Sequence, residues 1–211
     1  MTRQEDDWRR FSSLATMQNH WDRPEWTPGR EAYYWYLTWD SQELRDLADR
    51  CQRSLTLPFL DPVPLDALHM TLPKVGWSDQ VEPGALDELT SEAARRCAKL
   101  EPFILTVGPL AGSPGAVRFS ATPWEPVLEL SRHLVEASAG VDGIGSADFS
   151  PHVGIAYCNT VVPAQPLIET VRNLRRLPTI DVTVRAVDLV RLRREGSTYR
   201  WITLASIPLG G

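Results

Sequence analysis

Two short apolar segments, each carrying one histidine, set the strongest constraint on how this chain can fold. Leu68-His69-Met70-Thr71-Leu72 lies in the first half, and Pro151-His152-Val153-Gly154-Ile155 repeats its pattern in the second. Both read as β-strands, on which successive side chains alternate between two faces. His69 and Thr71 then share one face while Met70 and Leu72 point into a core. The second segment presents His152 on one face and buries Val153 and Ile155.

The surroundings of the two histidines repeat as well. Residues 32–39, dense in aromatics, read as a strand. Asp40 or Ser41 caps a helix reaching about Leu55, with Leu44, Leu47, Ala48 and Cys51 at helical spacing. A proline-rich connection leads to the strand of His69, then come a helix over residues 83–99, with a proline in its first turn, and a strand over 103–110. After a turn at residues 111–115 the order restarts: strand 116–121, helix 126–139, strand 151–157, helix 164–177 and a long strand 180–193, folded back by a hairpin at 194–197 onto a final strand, 199–207. The histidine follows the start of its first strand by 37 residues in one half and 36 in the other, which points to an internal duplication.

The fold class expected from this order is α+β: two pseudo-symmetric lobes, residues 32–111 and 112–211, each a mainly antiparallel sheet with helices on its outer face, around a central cleft. Residues 1–31 read as an N-terminal extension, with an amphipathic helix over Trp8, Phe11 and Leu14 followed by loop chemistry at 21–29. Its tryptophans need a surface to pack on, and a belt across the outside of the domain fits them better than a lid over the cleft.

Net charge is −5, which argues against a protein that coats long nucleic acid by neutralising phosphates. The charge is uneven: from Arg172 onward there are eight arginines against Asp181, Asp188 and Glu195, so this stretch is +5 and the rest −10. No apolar run approaches the roughly 18 residues of a membrane span, and the first residues lack the order of a signal peptide. Cys51, Cys97 and Cys158 form no CxxC pair and are odd in number, as buried thiols would be. These features together predict a cytoplasmic monomer.

A lone strand histidine is usually a hydrogen-bonded or half-exposed residue, but two at equivalent places are harder to set aside. His20 and His133, in a loop and on a helix, carry no assigned role. Zinc needs three or four converging ligands, and neither His69 nor His152 has companions at ligand spacing. There is no G-x-S-x-G elbow and no G-x-x-x-x-G-K-[ST] phosphate loop. Two imidazoles across a cleft suit a general acid and a general base. No metal and no cofactor are expected. Tyr33, Trp35 and Tyr157, on strands bordering the expected cleft, are candidates to stack a base. Arg118, Arg191, Arg193 and Arg200 are candidates for phosphate contacts, Arg118 and Arg193 foremost.

The segments H-M-T-L at His69 to Leu72 and H-V-G-I at His152 to Ile155 resemble the paired H-x-[T/S]-hydrophobic motifs of the two-histidine phosphoesterase superfamily, which includes RNA 2′,5′-ligase-like proteins and cyclic nucleotide phosphodiesterases. The duplicated layout resembles that family's over residues 32–207. The resemblance implies that His69 and His152 flank a phosphodiester as acid and base and that Thr71 binds phosphoryl oxygens. Gly154 departs from the pattern, since glycine has no hydroxyl to donate, and one lost transition-state donor costs on the order of 2.7–4 kcal/mol in oxyanion holes. The implied activity is metal-independent hydrolysis of a cyclic phosphate or 2′,5′-type linkage in RNA ends, nucleotides or nucleotide-derived metabolites. The alternatives are a nucleotide- or RNA-end-binding module without turnover, and the same fold used for a non-phosphate reaction in specialised metabolism.

Overall fold

The computed structural model describes residues 2–82, 84–138 and 150–210. Thr2 starts the first helix, α1 (Arg3–Ser12), with a capping box in which its hydroxyl accepts from the Glu5 N–H and the Glu5 carboxylate accepts from the Thr2 N–H. A two-residue strand, β1 (Thr16–Met17), precedes β2 (Glu31–Thr38). Ser41 caps α2 (Gln42–Ser54), whose Leu44, Leu47, Ala48 and Cys51 are buried at the expected spacing. β3 (Leu60–Pro62), a 3-10 turn (Leu65–Ala67), β4 (His69–Trp77), α3 (Ala85–Cys97) and β5 (Phe103–Ser113) follow. The second half supplies β6 (Ala116–Thr122), α4 (Glu125–Ala137), β7 (His152–Cys158), β8 (Val162–Pro163), α5 (Gln165–Leu174), β9 (Ile180–Val184), β10 (Ala186–Glu195) and β11 (Thr198–Pro208). Pro83 and Ala139, expected at helix ends, lie outside the described residues. No described helix is long and apolar enough to cross a membrane.

The class is α+β with antiparallel sheets. One has four strands in the order β11-β10-β2-β4, the other five in the order β3-β7-β6-β5-β9, and β1 pairs with β8. Each histidine strand lies beside the first strand of its own half, β4 beside β2 and β7 beside β6.

The sheets do not follow the expected boundary at residues 111 and 112. Pro114 and Gly115 make a tight hairpin with Ser113 opposite Ala116, so β5 pairs with β6 and belongs to the sheet of His152. A two-residue turn leaves adjacent antiparallel strands no other choice. The expected long strand over 180–193 is also divided. Arg185 separates β9, which pairs with β5, from β10, which pairs with β2 and β11 in the sheet of His69. The halves thus exchange strands, and each sheet takes strands from both halves of the chain.

Trp35, Leu37, Met70 and Leu72 from one sheet and Val107, Phe119, Val153 and Ile155 from the other share one hydrophobic core. Cys51, Cys97 and Cys158 are buried free thiols. Phe11 of α1 enters the same core, and its ring lies directly over Gly112 of β5. A Cβ at position 112 would strike that ring and come within 2.9 Å of the Ala116 carbonyl oxygen. Gly112→Ala is therefore expected to destabilise the fold by about 1–3 kcal/mol, as overpacked cores do. Denaturant unfolding checks this, and Phe11→Leu in the same chain should return part of the loss.

Candidate functional site

Strand register decides which side chains meet the histidines. On β4 and β2, His69 lies opposite Thr38 and Thr71 opposite Tyr36. Opposed residues share a face, so the even-numbered residues of β2 stand with the first motif. Tyr34 and Tyr36 line a cleft of about 490 Å³ together with His69, Thr71, His152 and Gly154. Trp35 is fully buried on the other face and Tyr33 packs against the same core. The expectation that Tyr33 and Trp35 border the cleft is thus off by one step of the pleat.

Arg193 is displaced for the same reason. Its neighbour Leu192 lines the cleft, whereas Arg193 is exposed and its Nε donates to the Glu195 carboxylate at 2.6 Å. Arg191, opposite Tyr33 and so on the face away from the cleft, pairs with Glu31 at 3.3 Å. Arg200 is exposed on β11 opposite Arg193. Arg118 does reach the cleft.

On the second sheet, His152 faces Ser120, Gly154 faces Arg118, and the register then slips so that Val117 faces Ala156. Ile155 is the extra residue of a β-bulge. Its carbonyl oxygen accepts from the Val63 N–H and from Gln52 Nε2, both at 2.9 Å. The bulge reverses the alternation, so Tyr157 joins His152 and Gly154 on the cleft face.

Both imidazoles are held alike. His69 Nδ1 lies 2.9 Å from the Ala67 carbonyl oxygen and His152 Nδ1 lies 2.6 Å from that of Ser150. A carbonyl can only accept, so each Nδ1 carries the hydrogen and each Nε2 is left to take or give a proton. Tyr36 stacks on His69 with ring centroids 4.2 Å apart, and Trp201 meets it edge-on at 5.1 Å. Burial lowers the pKa of His69 to about 4, with the Ala67 bond opposing the shift. Burial lowers that of His152 to about 3, helped by the positive charge of Arg118. Arg118 Nη1 is 3.1 Å from His152 Nδ1. Since that nitrogen's hydrogen belongs to the closer Ser150 oxygen, the guanidinium acts on the ring through its charge.

The extension completes the cleft. Arg118 lies 3.6 Å from the Asp7 carboxylate, which also accepts from the Ser120 hydroxyl at 2.7 Å. Asp7 is 5% exposed, on a helix otherwise read only as a surface belt. Gln18, His20, Arg23 and Trp26 line the cleft. His20 stacks on Tyr157 at 4.0 Å, and burial, with Arg23 and Arg194 next, lowers its pKa to about 3. Residues 18–26 are thus a wall of the site and only α1 forms the outer belt. Nothing local in the sequence marks Asp7 or His20, because their partners are more than a hundred residues away. Tyr34 and Tyr36 were readable from the pairing of β2 with β4. Among the described residues no three or more His, Cys, Asp or Glu side chains are grouped to hold a metal.

Two outcomes follow from these buried charges. Asp7→Asn leaves the Arg118 cation uncompensated and is expected to cost about 3–5 kcal/mol, as breaking a buried pair does. Urea unfolding measures it. The second concerns pH: His20, His69 and His152 stay neutral in the fold down to about 3 to 4, whereas unfolded imidazoles protonate near about 6.5. Unfolding takes up protons between those values, so their stabilisation is present above about 6.5 and lost as pH falls toward about 4. The urea midpoint should drop across that window, less steeply in His69→Gln.

Among solved structures, three similar ones are E. coli LigT in complex with 3′-AMP (18% identity, TM-score 0.66, 86% of this chain and 99% of that one), a phosphoesterase (18%, 0.66, 86% and 99%), and TT0787 of Thermus thermophilus (21%, 0.62, 86% and 98%). At such identities the likeness shows a common fold. No curated protein matches the chain. Residues 38–196 match the 2′-5′ RNA ligase superfamily, spanning both histidine motifs and the strands that carry them. The chain belongs to the 2′-5′ RNA ligase superfamily of two-histidine phosphoesterases.

Proposed function

We propose that this protein is a phosphodiesterase that opens a 2′,3′-cyclic phosphate or cleaves a 2′,5′-type linkage at an RNA end or on a nucleotide, with His69 and His152 moving the protons without a metal ion. One observation carries the reading: two buried imidazoles in one cleft, each with Nδ1 tied to a backbone carbonyl and Nε2 free. The residues around them, Thr71, Arg118, Tyr36 and Tyr157, are donors suited to an anion. E. coli LigT was crystallised with 3′-AMP, ATP and NADP+, which supports a nucleotide-type ligand here.

Burial keeps both rings neutral at neutral pH. A phosphate brings negative charge between them and raises the pKa of the ring it touches. His69 takes that proton more readily, because the Arg118 cation disfavours a second positive charge on His152. His152 then removes a proton from the attacking water at Nε2 as the new P–O bond forms. His69 gives its Nε2 proton to the ribose oxygen as the old P–O bond breaks. Thr71 and Arg118 donate to the non-bridging oxygens, where charge accumulates. Exchange with solvent restores the starting protonation.

Turnover of 2′,3′-cyclic AMP tests this. His69→Ala and His152→Ala should each lose about 10²–10⁴ in rate, and the wild-type pH profile should be bell-shaped. A p-nitrophenyl phosphodiester, whose leaving group needs no proton, should spare His69→Ala but not His152→Ala. Full activity in either variant on the cyclic substrate ends the proposal. Binding without turnover, unchanged in both, would favour a module that holds nucleotides or RNA ends.

A further inference from the structure

Gly154 stands where the first motif has Thr71, and the hydroxyl missing there has a neighbour. A Cβ built on Gly154 would lie 3.6 Å from the Tyr157 hydroxyl, with the Tyr157 ring carbons at 3.8 and 3.9 Å. These are ordinary contacts, so packing does not demand glycine at 154. A serine hydroxyl would sit one bond from that Cβ, in the space the tyrosine hydroxyl borders.

The bulge makes this possible. Without the extra residue Ile155, an odd-numbered side chain would point away from the face of His152 and Gly154. The first motif strand has the same irregularity: Tyr36 faces Thr71 and Tyr34 faces Lys74, so one extra residue falls at Leu72–Pro73. Lys74 and Tyr157 are therefore equivalent, each five residues after its histidine. Lys74 turns to Trp77, with its ammonium 3.3 Å from the ring centroid, and it is Tyr157 that lines the cleft.

Resting on the phosphodiesterase reading, we infer that the Tyr157 hydroxyl is the phosphoryl-oxygen donor of the second half-site, replacing the motif hydroxyl that Gly154 lacks. Tyr157 is held in place from several sides: His20 stacks on it, and Trp21 and Tyr199 meet it edge-on at 5.2 and 5.7 Å. The hydroxyl makes no hydrogen bond to another described residue and so keeps its proton for a ligand. Burial raises the pKa of the phenol, which keeps it a donor throughout the range in which the histidines work. A phenol on a bulged strand reaches the phosphate from further along the chain than a threonine would.

The test uses the intact protein with two readouts, turnover of 2′,3′-cyclic AMP and calorimetric binding of 3′-AMP. Tyr157→Phe keeps the ring and its stacking. It is expected to lower kcat/KM by about 10²-fold, the scale of one oxyanion donor, and to weaken 3′-AMP by about tenfold or more. Adding Gly154→Ser or Gly154→Thr to Tyr157→Phe should recover much of both losses, because the hydroxyl returns on the other residue. Turnover and affinity unchanged in Tyr157→Phe would overturn the inference, as would a loss that neither second substitution recovers, since that marks packing rather than donation. Wild-type protein without turnover whose 3′-AMP affinity still falls in Tyr157→Phe removes the hydrolytic reading and upholds the donor. Wild-type protein that neither turns over the cyclic nucleotide nor binds 3′-AMP removes both.

Discussion

A backbone carbonyl two residues before each histidine governs the chemistry of the cleft. Ala67 and Ser150 supply it, and each fixes its imidazole in one tautomer and one orientation. Without that anchor a buried neutral ring could carry its hydrogen on either nitrogen. With it, both rings turn the same atom inward. Burial then keeps both rings uncharged near neutrality.

Around this symmetric pair the cleft is asymmetric. His69 is enclosed by the rings of Tyr36 and Trp201, while His152 has Arg118 beside it and the Asp7 carboxylate behind that guanidinium. One ring therefore has apolar neighbours and the other a cation, so two identical side chains stand in different electrostatic surroundings. The difference originates partly in α1, outside the residues that match the superfamily. The extension also supplies His20, which stacks on Tyr157, so the family's segment carries both histidines and the extension adjusts their surroundings.

Local periodicity made the elements readable. Helical spacing in α2, the strands bearing His69 and His152 and the hairpin before β11 all follow from short-range pattern. The exchange of strands between sheets was not readable, because the buried apolar residues of β5 and β10 fit either sheet, and only their partners decide. Among site residues, His69, Thr71, His152, Gly154, Arg118 and Tyr157 are brought together. Tyr33, Trp35 and Arg193 were misplaced by one residue of alternation. Carrying the His69 parity across to β2 would have selected Tyr34 and Tyr36. Tyr157 reached the cleft for a reason the sequence does not display, since the bulge at Ile155 is a property of how β7 pairs and not of β7 alone.

The traded strands have a consequence for how the molecule comes into being. The two subunits of one domain-swapped dimer, joined end to end, would have this arrangement. Neither half of the chain contains a finished half-site: the sheet of His69 ends at a bare β2 edge until β10 is made, and the sheet of His152 takes β5 from before the hairpin. Its pairings join residues far apart in sequence, so much of the ordering entropy is spent before the sheets close. A chain that ends before β10 therefore carries both motifs but lacks two of the four strands of the His69 sheet, which is complete only once the last strands are made.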